Sequence, residues 1–396
     1  MDVASDSGPP SGGAAHVRLN LLLVSRSANW ARAVRSAAKE IGGSGISTCG
    51  ARDALTRLAG ISPHYSHLLV DKKDADGLLK ELADLANEIA DPSTDMLMLG
   101  MAESGWPHIP TIKAANTSAV REALMTTPPR NRSEMTFGAI ELRAALDGAM
   151  IETRYQPIIR MSDRRPIGLE ALARLNHPVA GTMLPDQFLP QIEKAGLAAQ
   201  MTELVSTRVL ADLTSPALNR TGLRMSVNFP LDVMLMPAAL DRMEEQRAAT
   251  GIPARRIIIE LTESRPVEDL VTLRRSLDHL RDLGYGVAID DVGPAVPRLA
   301  PLLELPFTSL KLDKDQVRQV IDSSEVRDFL AQTIIDAKQH GLAIVAEGVE
   351  TEEIWAAMLA LGADEAQGFL ASRPLPVAAV SIWLQAWNPS PSDGSD

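Results

Sequence analysis

Acidic and amide side chains recur at the ends of short apolar runs through the second half of the chain. Glu170 lies late in one run, Asn228 ends the next, and Glu260 ends the one after. Asp290 and Asp291 close another run, Lys311 and Asp313 another, Glu347 a further one, and Gln367 lies in the last. So many carboxylates facing one pocket would repel one another unless cations intervened. Oxygen ligands of this kind suit Mg²⁺ or Mn²⁺ rather than zinc. The adjacent Asp290–Asp291 pair could let one carboxylate bridge two ions. Two ions about 3.5–4 Å apart are a known arrangement for phosphodiester hydrolysis. Taken singly, each residue has a plainer reading. A glutamate at a strand end is usually solvated or paired, Asn228 suits a turn, and Lys311 with Asp313 would make a surface pair of little energetic weight. Only a common register makes them a site.

The elements that would supply that register are legible. Strands are expected at Arg154–Ile159, Ile167–Ala173, Leu223–Asn228, Ile257–Leu261, Val287–Asp291, Ser309–Leu312, Ala343–Ala346 and Glu365–Phe369. Helices are expected between most of them, for example Val267–Leu283 and Val317–Gln339. This strand–helix alternation predicts an α/β fold, a (β/α)8 TIM-like barrel whose parallel strands open their C-terminal ends onto one face. The first two strands are separated only by Met161–Arg165, too short for a parallel crossover, so that pair is expected to be antiparallel. Upstream, strands at Leu19–Val24, Gly45–Thr48, His67–Val70, Met96–Leu99 and His108–Ile112 alternate with helical patterns at Ala28–Ile41, Arg52–Leu58 and Gly77–Ile89. That order predicts a doubly wound parallel sheet.

Composition bounds the rest. The chain has 396 residues, room for two domains. Residues 1–16 and 389–396 are small and polar and read as disordered. Paired prolines within 125–135 read as a linker between a domain at 17–124 and another at 136–388. A formal net charge of −12 disfavours nucleic-acid backbones and anionic membranes as partners. The single cysteine, Cys49, cannot form an intrachain disulfide, and no early apolar run is long enough for a signal or a membrane span. A cytoplasmic protein without membrane insertion is expected.

Eight short motifs stand in order along 138–388: Gln156-Pro157-Ile158, Glu170-Ala171-Leu172-Ala173-Arg174, Ser226-Val227-Asn228, Glu260-Leu261-Thr262-Glu263-Ser264, Asp290-Asp291, Lys311-Leu312-Asp313, Val345 to Thr351, and Gln367-Gly368-Phe369. This segment resembles the EAL family of cyclic di-GMP phosphodiesterases, named for the Glu170-Ala171-Leu172 tripeptide. The resemblance implies hydrolysis of cyclic di-GMP to linear pGpG with two Mg²⁺ or Mn²⁺ ions. It implies one ion on Glu170, Asn228, Glu260 and Asp290, and the other on Asp290, Asp291 and Glu347. It makes Lys311 a catalytic residue that orients the attacking water, with Glu347 an alternative general base. It places Gln156, Leu172, Arg174, Asp313 and Gln367 at the substrate, and Glu263 as a loop anchor. It also implies a homodimer.

Two departures qualify the resemblance. After Asp290-Asp291 the family's Phe-Gly-Thr/Ser-Gly-Tyr-Ser-Ser is replaced by Val292-Gly293-Pro294-Ala295-Val296-Pro297-Arg298, which removes two backbone donors and a glycine. A slower enzyme, or a silent cyclic di-GMP receptor acting through protein contacts, is the alternative that this loop leaves open. The N-terminal segment resembles a response-regulator receiver with Asp71 where the phosphoacceptor would stand. Ser25-Arg26-Ser27 replaces its acidic cluster. The resemblance implies a degenerate domain that docks a protein partner, with Asp71 a loop residue.

Overall fold

A computed structural model describes residues 20–41, 45–59, 65–88, 95–100, 109–126, 137–147, 150–177, 181–262, 269–294 and 299–387. The expected disordered termini, most of the linker, and Glu263 lie outside these residues.

The N-terminal strands are β1 Asn20–Val24, β2 Gly45–Thr48, β3 His67–Asp71, β4 Asp95–Leu99 and β5 Thr111–Ile112. They form an all-parallel sheet of order β2-β1-β3-β4-β5. Leu21, Leu23 and Leu69 face the helices Ala28–Glu40 and Thr117–Thr126, and Leu22, Leu68 and Val70 face the other side. A sheet buried on both faces needs this near-continuous apolar run, which is why these strands do not alternate.

The larger sheet comprises β6 Ile151–Arg160, β7 Pro166–His177, β8 Gly181–Met183, β9 Arg224–Pro230, β10 Ile257–Thr262, β11 Gly286–Val292, β12 Ser309–Leu312, β13 Ala343–Ala346 and β14 Glu365–Gln367. Its order, β6-β14-β13-β12-β11-β10-β9-β7, closes through the β6–β7 pairing into an eight-stranded barrel, with β8 hung from β7. The expected antiparallel β6–β7 pair is present. Because β6 runs against its neighbours, its N-terminal end lies at the face where the parallel strands end.

Two expectations change. The single helix expected over 317–339 is two, Lys314–Arg318 and Ser324–Gln339. The Ser323 hydroxyl accepts from the Val326 amide at 3.3 Å and starts the second one afresh. The last barrel strand stops at Gln367, and the chain then turns through Gly368. A β-carbon on Gly368 would lie 2.1 Å from the Val349 carbonyl oxygen, so only glycine fits there.

The two sheets do not stand apart. Helix Ala51–Ala59 packs on helix Val377–Ala386, and helix Leu79–Glu88 packs on β8. One cluster of buried apolar side chains runs from Leu22, Leu55 and Leu82 to Tyr155, Met183 and Trp383. None of the helices among the described residues is long and apolar enough to cross a membrane.

Candidate active site

The barrel's interior wall follows from strand parity. Tyr155 and Thr153 of β6 point outward, where both hydroxyls meet the Asp212 carboxylate. The even residues of β6 therefore point inward. Gln156 stands opposite Glu170 across the β6–β7 pair. Gln367 donates through Nε2 to Glu170 Oε2 at 2.6 Å and to Gln156 Oε1 at 2.9 Å. Asn228 donates through Nδ2 to Glu170 Oε1 at 2.9 Å and stands opposite Glu260.

Lys311 occupies the centre. Its ammonium lies 2.6 Å from Glu347, 2.9 Å from Glu260, 2.9 Å from Asp290 and 3.3 Å from Glu170. Its side chain is 2% exposed. Burial works against its charge, but Asp290, Glu170, Glu260 and Glu347 outweigh burial and hold its pKa well above the ordinary lysine value. The acids divide. Burial, reinforced by Glu170 and Asp290, pushes Glu260 up to about 8 despite Lys311. Burial likewise pushes Asp290 up to about 6 and raises Glu347 well above the carboxylate range. Burial also opposes charge on Glu170, yet Lys311, Asn228 and Gln367 hold it below its ordinary value. One lysine therefore does not neutralise the pocket.

A regular strand sends neighbouring side chains to opposite faces. Asp290 and Asp291 escape that rule because the β11–β12 register shifts between Ile289 and Val292 and Asp291 takes φ +52°. Aspartate tolerates this left-handed region better than most residues, at a cost on the order of 1 kcal/mol. The irregularity brings oxygens of Asp290, Asp291 and Glu347 within 4.8 Å of one another. Glu170, Glu260 and Asp290 form a second such group.

These residues fit hard divalent ions. The donor set is all oxygen apart from Lys311. The Asn228 Oδ1 and Gln367 Oε1 atoms are buried and accept no hydrogen bond, an arrangement that a cation would satisfy.

The other expected residues fall in different places. Leu172 and Arg174 follow Glu170 on the inward face of β7, and Arg174 is buried with Nη1 donating to the Ala173 carbonyl at 2.7 Å. Asp313 accepts from the Asp315 and Gln316 amides at 3.1 and 3.2 Å, so its carboxylate caps helix Lys314–Arg318. Val292, Gly293 and Pro294 of the altered loop are described, and residues 295–298 are not. Asp71 accepts from the Lys73 amide at 3.2 Å and caps a short 3-10 turn. Beside it, where a receiver would have acids, Arg26 pairs with Asp76 at 3.2 Å and its amide donates to Asp74 at 2.7 Å. Arg154 and Glu152 lie on the same face of β6 as Gln156 and were not singled out from the sequence. The available signal was their even spacing from Gln156 on one strand.

The pattern of the EAL domain matches residues 140–374, more than half of the chain. The chain belongs to the EAL domain family. It is similar to the cyclic di-GMP phosphodiesterase NbdA of Pseudomonas aeruginosa, with 33% identity over 248 residues, 62% of this chain and 32% of the relative. The chain thus spans about a third of NbdA's length. The solved structure of the PaMucR phosphodiesterase in complex with c-di-GMP superposes with a TM-score of 0.56 at 30% identity, covering 60% of this chain and 96% of that one. The EAL enzyme Bd1971, solved with cAMP and cyclic di-GMP bound, gives 0.59 at 25% identity over 62% of this chain and 68% of that one.

Proposed function

We propose that this EAL chain hydrolyses cyclic di-GMP to linear pGpG. The observation that carries the reading is the set of five carboxylates, Glu170, Glu260, Asp290, Asp291 and Glu347, gathered around Lys311 at the open end of the barrel.

Glu170, Asn228, Glu260 and Asp290 would hold one Mg²⁺ or Mn²⁺, and Asp290, Asp291 and Glu347 a second. Such ions supply an activated water and offset charge developing on the phosphoryl oxygens. The chain's own groups do the rest. Lys311 places a fixed positive charge beside the reacting phosphate. Glu347, whose carboxylate lies 2.6 Å from the Lys311 ammonium, is placed to accept the proton of the attacking water. The water oxygen bonds to phosphorus, the bond from phosphorus to the 3′ oxygen breaks, and that oxygen leaves with a proton. The phosphate stays on the 5′ side, as pGpG requires. The Arg174 fork suits non-bridging phosphate oxygens, and Gln156 with Gln367 holds Glu170 in its rotamer.

In this reading residues 136–388 are the enzyme, acting in the cytoplasm as a homodimer. Residues 17–124 are a receiver-like unit that docks a protein partner without taking up phosphate, since Ser25-Arg26-Ser27 stands where acids would hold the Mg²⁺ that phosphoryl transfer needs.

The deciding experiment incubates purified protein with cyclic di-GMP and Mg²⁺ or Mn²⁺ and follows pGpG by chromatography. Glu170→Ala should abolish turnover. Binding without cleavage at any metal concentration would make the chain a receptor instead.

A further inference from the structure

Cyclic di-GMP carries two phosphodiesters. The carboxylate pocket addresses the one that is cut, and the other also bears a negative charge that the site must meet.

Parity places another guanidinium on the pocket's wall. Arg154 lies on the same inward face of β6 as Gln156 and stands opposite Leu172 of the naming tripeptide. Its side chain is 3% exposed, as enclosed as the carboxylates below it. A buried guanidinium needs an anionic partner, and Glu152 supplies it. Glu152 Oε2 accepts from Arg154 Nη1 and Nη2, both at 3.1 Å. Glu152 itself stands opposite Arg174. Its other oxygen, Oε1, accepts from the Lys80 ammonium at 2.7 Å. Lys80 belongs to helix Leu79–Glu88 of the N-terminal sheet, so the chain of charges crosses from one sheet unit to the other.

We propose that Arg154 is a second phosphate-binding residue of this site, positioned by Glu152, which Lys80 holds from the N-terminal unit. The proposal rests on the cyclic di-GMP reading. Arg154 Nη1 also donates to the Thr153 carbonyl at 3.1 Å, and a guanidinium has five N–H donors in a fixed fork, so these bonds are compatible with contacting a phosphate. Lys80 draws on the same carboxylate and limits its hold on Arg154. The N-terminal unit thereby tunes substrate affinity through one ion pair, without phosphoryl chemistry.

The test compares the full chain with Arg154→Gln and Lys80→Ala on two substrates. One is cyclic di-GMP, and the other is bis(p-nitrophenyl) phosphate, which carries a single phosphodiester. Arg154→Gln should raise KM and Kd for cyclic di-GMP by roughly tenfold to a hundredfold, the range for a lost charged hydrogen bond. Its effect on bis(p-nitrophenyl) phosphate should be at least tenfold smaller, and Arg154→Lys should recover part of the loss. Lys80→Ala should shift KM for cyclic di-GMP with kcat held, and should have no effect in the Arg154→Gln background. Equal losses on both substrates, or an unchanged Kd in Arg154→Gln, would overturn the proposal. If Arg154→Gln does not fold, an unchanged KM in Lys80→Ala overturns it alone. Should the wild type bind cyclic di-GMP and cleave nothing, the phosphodiesterase reading fails, and Kd still decides the role of Arg154. A wild type that binds no cyclic di-GMP overturns both.

Discussion

Replacing Lys311 by methionine tests the electrostatics of the pocket directly. The change keeps the length of the side chain and removes the positive charge that four carboxylates share within 3.3 Å. Taking one partner from a buried ionic cluster costs about 3–5 kcal/mol, because the remaining charges stay desolvated. For a barrel of this size, that corresponds to a fall in Tm of roughly 10 °C. The cost should be largest above pH 8 and shrink toward pH 5. The acids already lean toward their protonated forms, with Asp290 up to about 6 and Glu260 up to about 8, and losing Lys311 pushes them further the same way. Mg²⁺ should reverse the loss. An ion at about 100 times its Kd adds about 2.7 kcal/mol to the folded state, and in the variant it need not compete with an ammonium. Calorimetric scans of both proteins at pH 8, with chelator and with Mg²⁺, would measure these quantities. A metal-free variant as stable as the wild type, or an equal rise in Tm of both proteins with Mg²⁺, would refute this electrostatic role of Lys311.

Further outcomes follow from other contacts. Asp291→Asn keeps a residue that tolerates φ +52° and loses a charge, so stability should stay within about 0.5 kcal/mol while pGpG production falls at least a hundredfold; a large drop in Tm would count against this. Tyr155→Phe removes the hydroxyl that donates to Asp212 and should cost about 1–3 kcal/mol by denaturant titration, with no change in cyclic di-GMP affinity. Burial lowers His67 to about 4. The unfolded chain then takes up a proton near pH 6.5 and the folded chain does not. The contribution is intact above pH 6.5 and declines by up to about 3 kcal/mol as pH falls to 4. His67→Gln should flatten that limb, which unfolding curves at pH 7 and 5 would reveal. Finally, grafting Phe-Gly-Thr-Gly-Tyr-Ser-Ser onto 292–298 should speed turnover or lower the metal requirement; no change in either would show that the native loop is not limiting.

Much of the candidate site was legible because its carboxylates are tied to strand ends, which apolar runs mark well. Glu170, Glu260, Asp290, Lys311 and Glu347 each end or nearly end such a run, and closure of the barrel brings them together. The antiparallel β6–β7 pair was readable from connector length alone. What escaped depends on contacts between distant segments. The irregularity that turns Asp291 toward Glu347 arises from how β11 meets β12 and leaves no mark on β11's own pattern. Asp313, expected at the substrate, and Asp71, expected as a loop residue, both have carboxylates that accept from local amides. That capping is short-range, and the side-chain preference of aspartate for caps was the available clue. The break before Ser324 had a comparable signal in Asp322-Ser323-Ser324, overridden by the apolar spacing on either side. Arg154 drew no notice in the sequence because only the parity of β6 sets it on the same face as Gln156.

The apolar cluster shared by helices Ala51–Ala59 and Val377–Ala386 has a consequence for how the molecule comes apart. Surfaces joined by one continuous core lose their contacts together, so heating should give a single heat-capacity peak rather than one for each sheet. A barrel severed upstream of residue 137 would carry a bare oily strip over its final helix and the β8 hairpin. It would tend to self-associate through that strip, and its measured oligomeric state would then describe the cut rather than the protein.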